Sequence, residues 1–363
     1  TQSTWGSVTN RIYNNSSATI ITLIFYYTMV VELSSGLPWP IKAVVSTAEK
    51  IFDVARRRDG SINRRLMDFC DFKAPPSPAK PIAGVTSADI TVDISRNLWF
   101  RLFVPVASHP KGSLPVIFYI HGGGFALLSP ASVVFDSFCR RLARRLLAVV
   151  ISVNYRLVPE HRWPSQYDDC FDILRFIDSK SVAEIPDTAN FKHCFLAGDS
   201  AGANVAHHMA LRADGYEFSK LGLIGLVSLQ PFFGGEETLP SEEQYDGLFL
   251  VSKDRSEWLW KAFLPESTDR NHPACHVFGP NSPDITGTKY PATMVVVGGY
   301  DPLQDWQRRY FEGLKSAGKE AYLCEYPKSV HSFYGFSNHP QSRQLIEDVR
   351  HFLEKQINDI KNN

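Results

Sequence analysis

The feature that most constrains this fold is a short apolar run that ends in a Gly-x-Ser-x-Gly pattern. The run covers His193 to Ala197, and Gly198, Ser200 and Gly202 follow it directly. A helical pattern begins at once, so the serine is predicted to lie on a sharp strand-to-helix turn. The two glycines would supply the missing side chains that so tight a turn requires. An ordinary turn could show the same five residues, so the pattern needs partners elsewhere in the chain.

The alternation of strands and helices predicts an α/β fold. Nearly continuous apolar runs at Val116 to Ile120 and Ala148 to Val153 are typical of parallel strands buried on both faces. Helical and strand-like stretches then alternate as far as a closing helix at Gln341 to Gln356. Alternating runs at Ile90 to Ile94 and Leu98 to Val104 predict an antiparallel hairpin at one edge. We therefore expect a mostly parallel central sheet with flanking helices.

The N-terminal part of the chain has a different character. The chain begins without Met and its first Met is Met29, so we expect residues 1–28 to be a leader or a non-native extension. The apolar run from Ile20 to Val31 is shorter than the ~20 residues that span a bilayer. Residues 29–82 are predicted to form an N-terminal lid region and linker, and residues 83–363 the catalytic domain.

Composition narrows the class of function. Lys plus Arg equals Asp plus Glu at 38 each, so neither nucleic acid nor an acidic membrane surface is predicted as a partner. The six cysteines are scattered without metal-ligand spacing, and no pair of histidines has such spacing, so we predict no metal and no cofactor. The cysteines indicate reduced thiols of a cytoplasmic protein, with the nucleus as a further location. A disulfide between any two of them stays open.

A nucleophilic serine needs a base and an acid that orients the base. In this architecture the acid and then the histidine follow the serine, each just past the end of a strand. Asp301 follows a buried apolar run, and His331 follows the final strand-like run. Asp305 is the competing acid, but it lies in the first turn of the next helix, where an acidic residue is expected for capping alone. The predicted catalytic residues are therefore Ser200, Asp301 and His331.

A run of three glycines after the first buried strand predicts where the oxyanion would bind. The run is preceded by His121, for which a structural role is predicted. Without a Cβ, backbone N–H groups can approach a substrate oxygen closely. We predict Gly123 and Gly124 as donors, with the N–H of Ala201 as the third. A flexible turn is the alternative, but it does not explain why the glycines follow a strand.

Aromatic side chains suggest an apolar substrate pocket. The segment from Phe232 to Pro291 is too long for a simple connection between strands, which predicts an inserted cap. The predicted pocket residues are Phe125, Trp258, Trp260 and Phe333. Aromatic residues at such positions are as often part of an ordinary core, so the sequence leaves both roles open.

These motifs together resemble the hormone-sensitive-lipase-type branch of the α/β-hydrolases, from about residue 85 to the C-terminus. They are His-Gly-Gly-Gly at 121–124, Gly-Asp-Ser-Ala-Gly at 198–202, Asn-Tyr-Arg-Leu-x-Pro-Glu at 154–160 and the order of the triad. The finer resemblance is to plant carboxylesterases related to the gibberellin receptor. Pro40 to Arg64 is similar to the N-terminal lid region of that group. An amphipathic helix there could simply pack on the body, but the resemblance implies that it helps to cover the pocket.

The resemblance also separates two functions. The receptor departs from the hydrolase pattern because its catalytic histidine is replaced and the third glycine of its oxyanion motif is a serine. This chain keeps His331 and Gly124. We therefore predict a serine carboxylesterase whose partner is a small, apolar ester.

Two alternatives stay open. One is a hormone or small-ligand receptor with a lid over the same pocket, the only case in which a protein partner is expected. The other is a lyase or cyclase of specialised metabolism that reuses the triad.

Overall fold

The fold comes from a computed structural model, which describes residues 39–107 and 109–362. It separates into two compact units between Glu49 and Lys50. The described part of the first unit is the beginning of helix α1 (Trp39–Ala55), and everything below concerns the second unit, Lys50–Asn363. The predicted leader, residues 1–28, lies outside the described residues and stays a prediction. Over the part of the chain that is described, no helix is long and apolar enough to cross a membrane.

A single mixed sheet organises this second unit. Within the described ranges its eight strands are β1 (Val85–Asp93), β2 (Leu98–Pro105), β3 (Leu114–Ile120), β4 (Val149–Val153), β5 (Ala189–Asp199), β6 (Leu223–Leu229), β7 (Ala292–Gly298) and β8 (Ala321–Tyr326). They lie in the order β1-β2-β4-β3-β5-β6-β7-β8. Strand β2 pairs antiparallel with both β1 and β4, and the remaining pairs are parallel. The predicted edge hairpin and mostly parallel sheet are confirmed.

The burial of the strands explains their sequences. Every residue of β3, β4 and β7 is buried. A parallel strand covered on both faces cannot alternate between apolar and polar residues, so it becomes a continuous apolar run. Strand β1 lies at the edge, where buried residues occur only near its beginning and exposed positions appear further along.

Helices flank the sheet and follow the strands that they connect. They are α2 (Arg64–Cys70), α3 (Val133–Leu146), α4 (Ser165–Ser179), α5 (Ala201–Asp214), α6 (Pro240–Gln244), α7 (Lys253–Phe263), α8 (Gln304–Ser316) and α9 (Pro340–Asn362). The predicted cap, Phe232 to Pro291, contains α6 and α7. The sequence does not predict α2, because none of its residues is buried and no apolar period marks it. The side chain of Asn63 accepts the N–H of Leu66 at its start.

The segment from Lys73 to Pro81, within the predicted lid region and linker, is joined to the body by backbone hydrogen bonds. The N–H of Ala74 donates to the carbonyl of Ala131 at 2.7 Å, and the N–H of Ser77 donates to the carbonyl of Ser87 at 3.0 Å. The carbonyl of Ala74 in turn accepts a hydrogen bond from the guanidinium of Arg101 at 2.7 Å. A linker with this many hydrogen bonds is part of the packed unit.

Charged side chains beneath the edge hairpin join it to α3. Arg101 on β2 is only 1% exposed, and its guanidinium pairs with both carboxylate oxygens of Asp89, at 2.6 and 2.8 Å. It also donates to Asp136 on α3 at 3.1 Å, and Asp136 accepts from Arg140 at 2.7 Å. A buried charge is tolerated only when it is paired in this way. Sequence patterns miss such a network because an arginine in a strand ordinarily indicates a face exposed to solvent.

Replacing Arg101 by alanine should lower the free energy of unfolding by about 3 kcal/mol, because Asp89 and Asp136 would lose their buried partner. The matched control is Lys111→Ala, which breaks a pair with Asp187 whose side chains are 81% and 84% exposed. That variant should lose less than about 1 kcal/mol. Urea denaturation measures both, and equal midpoints would show that the network does not stabilise the edge hairpin.

Candidate active site

Ser200 lies on a strained turn between β5 and α5. Its backbone has φ 52° and ψ −119°, a conformation that costs a residue with a side chain about 1–3 kcal/mol. The N–H of Ser200 donates to the carbonyl of Leu229 at 2.9 Å, and its own carbonyl accepts the N–H of Phe232 at 3.0 Å. Bonds on both sides hold the turn in this conformation. The strand-to-helix turn predicted from the sequence is therefore present.

The two glycines of the serine pattern allow close backbone approaches. A Cβ on Gly198 would lie 2.3 Å from the carbonyl oxygen of Gly202. A Cβ on Gly202 would lie 2.0 Å from the carbonyl oxygen of Ile120, the last residue of β3. Neither separation is tolerable for a side-chain carbon. Gly202 thus lets the first turn of α5 contact the end of β3, where the glycine run begins.

Residues 121–125, where the sequence predicts oxyanion binding, follow β3 and are called the oxyanion loop. Two of its glycines have a backbone that other residues rarely adopt. Gly123 has φ +104° and Gly124 has φ +60°. A Cβ on Gly123 would lie 2.4 Å from the carbonyl oxygen of Leu127, and one on Gly124 would lie 2.5 Å from a methyl carbon of Leu259. Backbone conformation therefore favours glycine at both positions, and at Gly123 the backbone of Leu127 also leaves no space for a Cβ.

His331 and Asp301 form a buried pair. The Nδ1 atom of His331 lies 2.7 Å from Oδ2 of Asp301, and the two residues are 3% and 0% exposed. Oδ2 also accepts from the side-chain amides of Gln230 and Gln307, at 2.9 and 2.8 Å, and Oδ1 accepts the N–H of Leu303 at 2.9 Å. The carboxylate favours the imidazole tautomer with its proton on Nδ1, which leaves Nε2 free to accept a proton.

Gln230 also contributes to the site, and no sequence pattern marks it. It follows β6 with φ 43°, and its amide nitrogen donates to Asp301 and to the carbonyl of Val330, the latter at 3.1 Å. Its amide oxygen accepts the N–H of Ser332 at 2.9 Å. Gln230 is therefore hydrogen-bonded to the backbone on both sides of His331. The only signal of it in the sequence is its position just past a strand end.

The competing acid, Asp305, has other partners. Its carboxylate accepts the N–H of Ser241 at 2.9 Å and pairs with Arg308 at 3.3 Å, at the beginning of α8. The structure places Asp301, and not Asp305, beside His331.

His121 and His207 are held within the core. Nδ1 of His121 lies 2.8 Å from the carbonyl oxygen of Gly122, and its ring stacks on Tyr155 with centroids 4.3 Å apart. Burial lowers the pKa of His121 to about 4 and that of His207 to about 3, so both imidazoles are neutral at physiological pH. Nδ1 of His207 lies 2.7 Å from the hydroxyl of Tyr290. His121 thus has the structural role that the sequence predicted, and His207 is likewise a core residue.

The sequence left open whether any two of the cysteines form a disulfide. All six cysteines are free, and four of them are buried: Cys139, Cys170, Cys194 and Cys275.

Three of the four predicted pocket residues belong to the buried core. Phe125 stacks on Phe263 with centroids 3.8 Å apart, and Trp260 stacks on Phe232 at 4.3 Å. Phe333 packs beside Tyr326, and these three predicted residues are at most 2% exposed. All three are surrounded by other core residues, as in an ordinary hydrophobic core. A substrate-lining role for them stays a prediction.

The fourth, Trp258, contacts the C-terminal end of helix α1. Its ring meets Phe52 edge-on at 5.8 Å, and Asp53 pairs with Arg255 at 2.7 Å. Leu259, the next residue along α7, packs against this small cluster and also approaches the third glycine of the oxyanion loop. The end of α1 thus rests on the helix whose Leu259 lies beside Gly124.

Comparison with known proteins identifies the family. A family model described as alpha/beta hydrolase fold matches residues 117–335, a span that contains the oxyanion loop, Ser200, Asp301 and His331. The chain belongs to this family.

Relatives of this α/β-hydrolase include receptors and esterases. A gibberellin receptor of Arabidopsis thaliana is 37% identical over 336 residues, which cover 89% of this chain and 96% of that protein. Probable carboxylesterase 8 of the same plant is 33% identical over 317 residues, covering 84% and 93%. Among solved structures, a hyperthermophilic esterase from the archaeon Pyrobaculum calidifontis has a TM-score of 0.64 at 27% identity, covering 77% of this chain and 87% of that one. The relation to plant carboxylesterases and the gibberellin receptor is confirmed.

Gly202→Ala should destabilise the hydrolase by about 3 kcal/mol, because its Cβ would collide with backbone that cannot turn aside. Gly215→Ala is the control, since a Cβ there meets only the carbonyl oxygen of Arg212 at 3.9 Å. The control should change stability by less than about 0.5 kcal/mol. Urea denaturation followed by tryptophan fluorescence compares them, and a stable Gly202→Ala protein would contradict the close approach.

Proposed function

We propose that this α/β-hydrolase is a serine carboxylesterase that hydrolyses esters of small, apolar molecules. The observation that carries the proposal is the buried pair of His331 and Asp301, which lies in the same unit as a serine on a strained strand-to-helix turn. A histidine oriented by a carboxylate is the general base that a serine nucleophile needs. Esterases among its relatives and structural neighbours support the same activity.

In the proposed reaction Ser200 attacks the ester carbonyl through its Oγ. Nε2 of His331 removes the hydroxyl proton and later returns it to the leaving alcohol. Asp301 keeps the imidazole in the required tautomer and stabilises its protonated form. Water then attacks the acyl-enzyme by the same proton transfers and releases the acid. An alcohol in place of water would give acyl transfer.

The N–H groups of Gly123, Gly124 and Ala201 are the proposed donors to the tetrahedral oxyanion. Ala201 is the first residue of α5, so its N–H belongs to the positive end of that helix dipole. Fixed donors at the developing charge are worth a hundredfold or more in rate, about 2.7–4 kcal/mol for each. The substrate is a small molecule, and the free thiols support the cytoplasmic location proposed for the protein.

Hormone binding is a second candidate function, because gibberellin receptors cover nearly the same length of this chain as the esterases do. The residues favour hydrolysis. This chain has His331 and Gly124 at the two positions where the receptor departs from the hydrolase pattern. Its histidine is also hydrogen-bonded to a carboxylate through Nδ1, as a general base of this kind requires.

Ser200→Ala should abolish hydrolysis of a short p-nitrophenyl ester, because no nucleophile remains. Wild-type protein should react with a fluorophosphonate probe, and the variant should not. Ser179→Ala, which removes a hydroxyl from the exposed end of α4, is the matched control and should keep full activity.

Unchanged turnover in Ser200→Ala would overturn the assignment of the nucleophile. Gibberellin retained intact by the wild-type protein, together with hormone-dependent capture of a protein partner, would favour the receptor function instead.

Asp301→Asn should lower kcat by a factor on the order of 10⁴, because an amide beside Nδ1 no longer selects the productive tautomer. Asp305→Asn is the matched control four residues along the chain. Its carboxylate pairs with Arg308 near the surface, so kcat should stay within about twofold of wild type. Steady-state kinetics on both purified variants distinguishes the two acids, and the opposite ranking would make Asp305 the orienting group.

A further inference from the structure

We infer that Asp199 is a positioning residue, which holds the oxyanion loop and the histidine loop (residues 327–336) in place around Ser200. This inference rests on the proposed esterase function and adds a residue that the catalytic steps do not use. Asp199 precedes Ser200 and is 3% exposed, so it is a carboxylate buried beside the proposed nucleophile.

The partners of Asp199 come from separate segments of the site. Its Oδ1 accepts the N–H of Gly122 at 2.9 Å and the hydroxyl of Tyr119 at 2.5 Å. Its Oδ2 accepts the hydroxyl of Tyr334 at 2.7 Å. Gly122 opens the glycine run, and Tyr334 follows His331 by three residues. One carboxylate therefore links the nucleophile turn, the oxyanion loop and the histidine loop.

The glycine run is shaped around this carboxylate. A Cβ on Gly122 would lie 2.4 Å from Oδ2 of Asp199 and 2.8 Å from its backbone carbonyl oxygen. The backbone of Gly122 has no positive φ, unlike that of its two neighbours, so glycine is required here by space alone. The first glycine of the motif is thus required by the space that Asp199 occupies, whereas the next two are favoured by the positive φ of the loop backbone.

The electrostatics of the site agree with an anchoring role. Burial raises the pKa of Asp199, while the hydrogen bonds from Tyr119, Tyr334 and the N–H of Gly122 act in the opposite direction. Hydrogen bonds to a buried carboxylate are stronger than those between neutral groups. Each of the three donors is consequently held firmly at a fixed point next to Ser200.

Small displacements would be enough to impair the reaction. Misplacing a catalytic group by about 1 Å can reduce the rate about a hundredfold. Losing Asp199 would release the N–H of Gly122, adjacent to the proposed donor Gly123, and the hydroxyl of Tyr334, in the loop of His331. Asp199 is buried and both of its carboxylate oxygens accept hydrogen bonds from protein donors, so we expect ground-state substrate binding not to use it, and kcat rather than KM should change.

The test measures kcat and KM per active site, with active sites counted by fluorophosphonate titration. Asp199→Ala should lower kcat about a hundredfold with little change in KM, and should weaken binding of a trifluoromethyl ketone by the same factor. Asp199→Asn should recover most of the loss, because its amide oxygen can still accept the N–H of Gly122. Tyr334→Phe should lower kcat several-fold.

The matched control is Tyr310→Phe, which removes a hydroxyl from an equally buried tyrosine that bonds to Tyr290 at 3.0 Å. Its kcat should equal that of wild type. Wild-type kcat in folded Asp199→Ala, or equal losses in the alanine and asparagine variants, would overturn the inference. If Asp199→Ala does not fold, Tyr334→Phe against Tyr310→Phe decides it. Wild-type protein no more active than Ser200→Ala would instead refute the esterase function itself.

Discussion

The contact between the first turn of α5 and the end of β3 is the constraint on which the rest of the site depends. At Gly202 the helix lies so near the carbonyl of Ile120 that a single added carbon could not fit. This approach places the serine turn and the oxyanion loop side by side, although some eighty residues separate them in sequence. The strain at Ser200 is sustained because both ends of its turn are fastened to neighbouring backbone.

Buried amides and carboxylates orient the histidine and the loops around this contact. Asp301 accepts hydrogen bonds from two glutamine side chains and a backbone N–H. One of these glutamines, Gln230, is also hydrogen-bonded to the backbone on both sides of His331. Asp199, which precedes the serine in sequence, accepts hydrogen bonds from a similar set of donors. Each of these hydrogen bonds offsets the cost of burying a polar group, so each partner also limits the movement of its neighbours.

The residues from Phe52 onward contact a helix that lies beside Gly124, one of the two positions where the receptor departs from the hydrolase pattern. That helix is α7, whose Leu259 occupies the space beside Gly124. A side chain at Gly124 would need Leu259 to move and would also strain the backbone. The packing around the oxyanion loop thus suits the glycine that this chain retains.

The sequence by itself determined the alternation of strands and helices apart from α2, the serine turn, the glycine run, and the positions of Asp301 and His331 after strand ends. Those features are local, because apolar periodicity and glycine requirements are set within a few residues. The structure places Asp301 beside His331, and it alone revealed the hydrogen bonds that Gln230 and Asp199 make with the surrounding loops. It also decided that Phe125, Trp260 and Phe333 are core residues and that Arg101 is a buried charge. These outcomes depend on contacts between distant segments, and no local pattern records which side chains will meet.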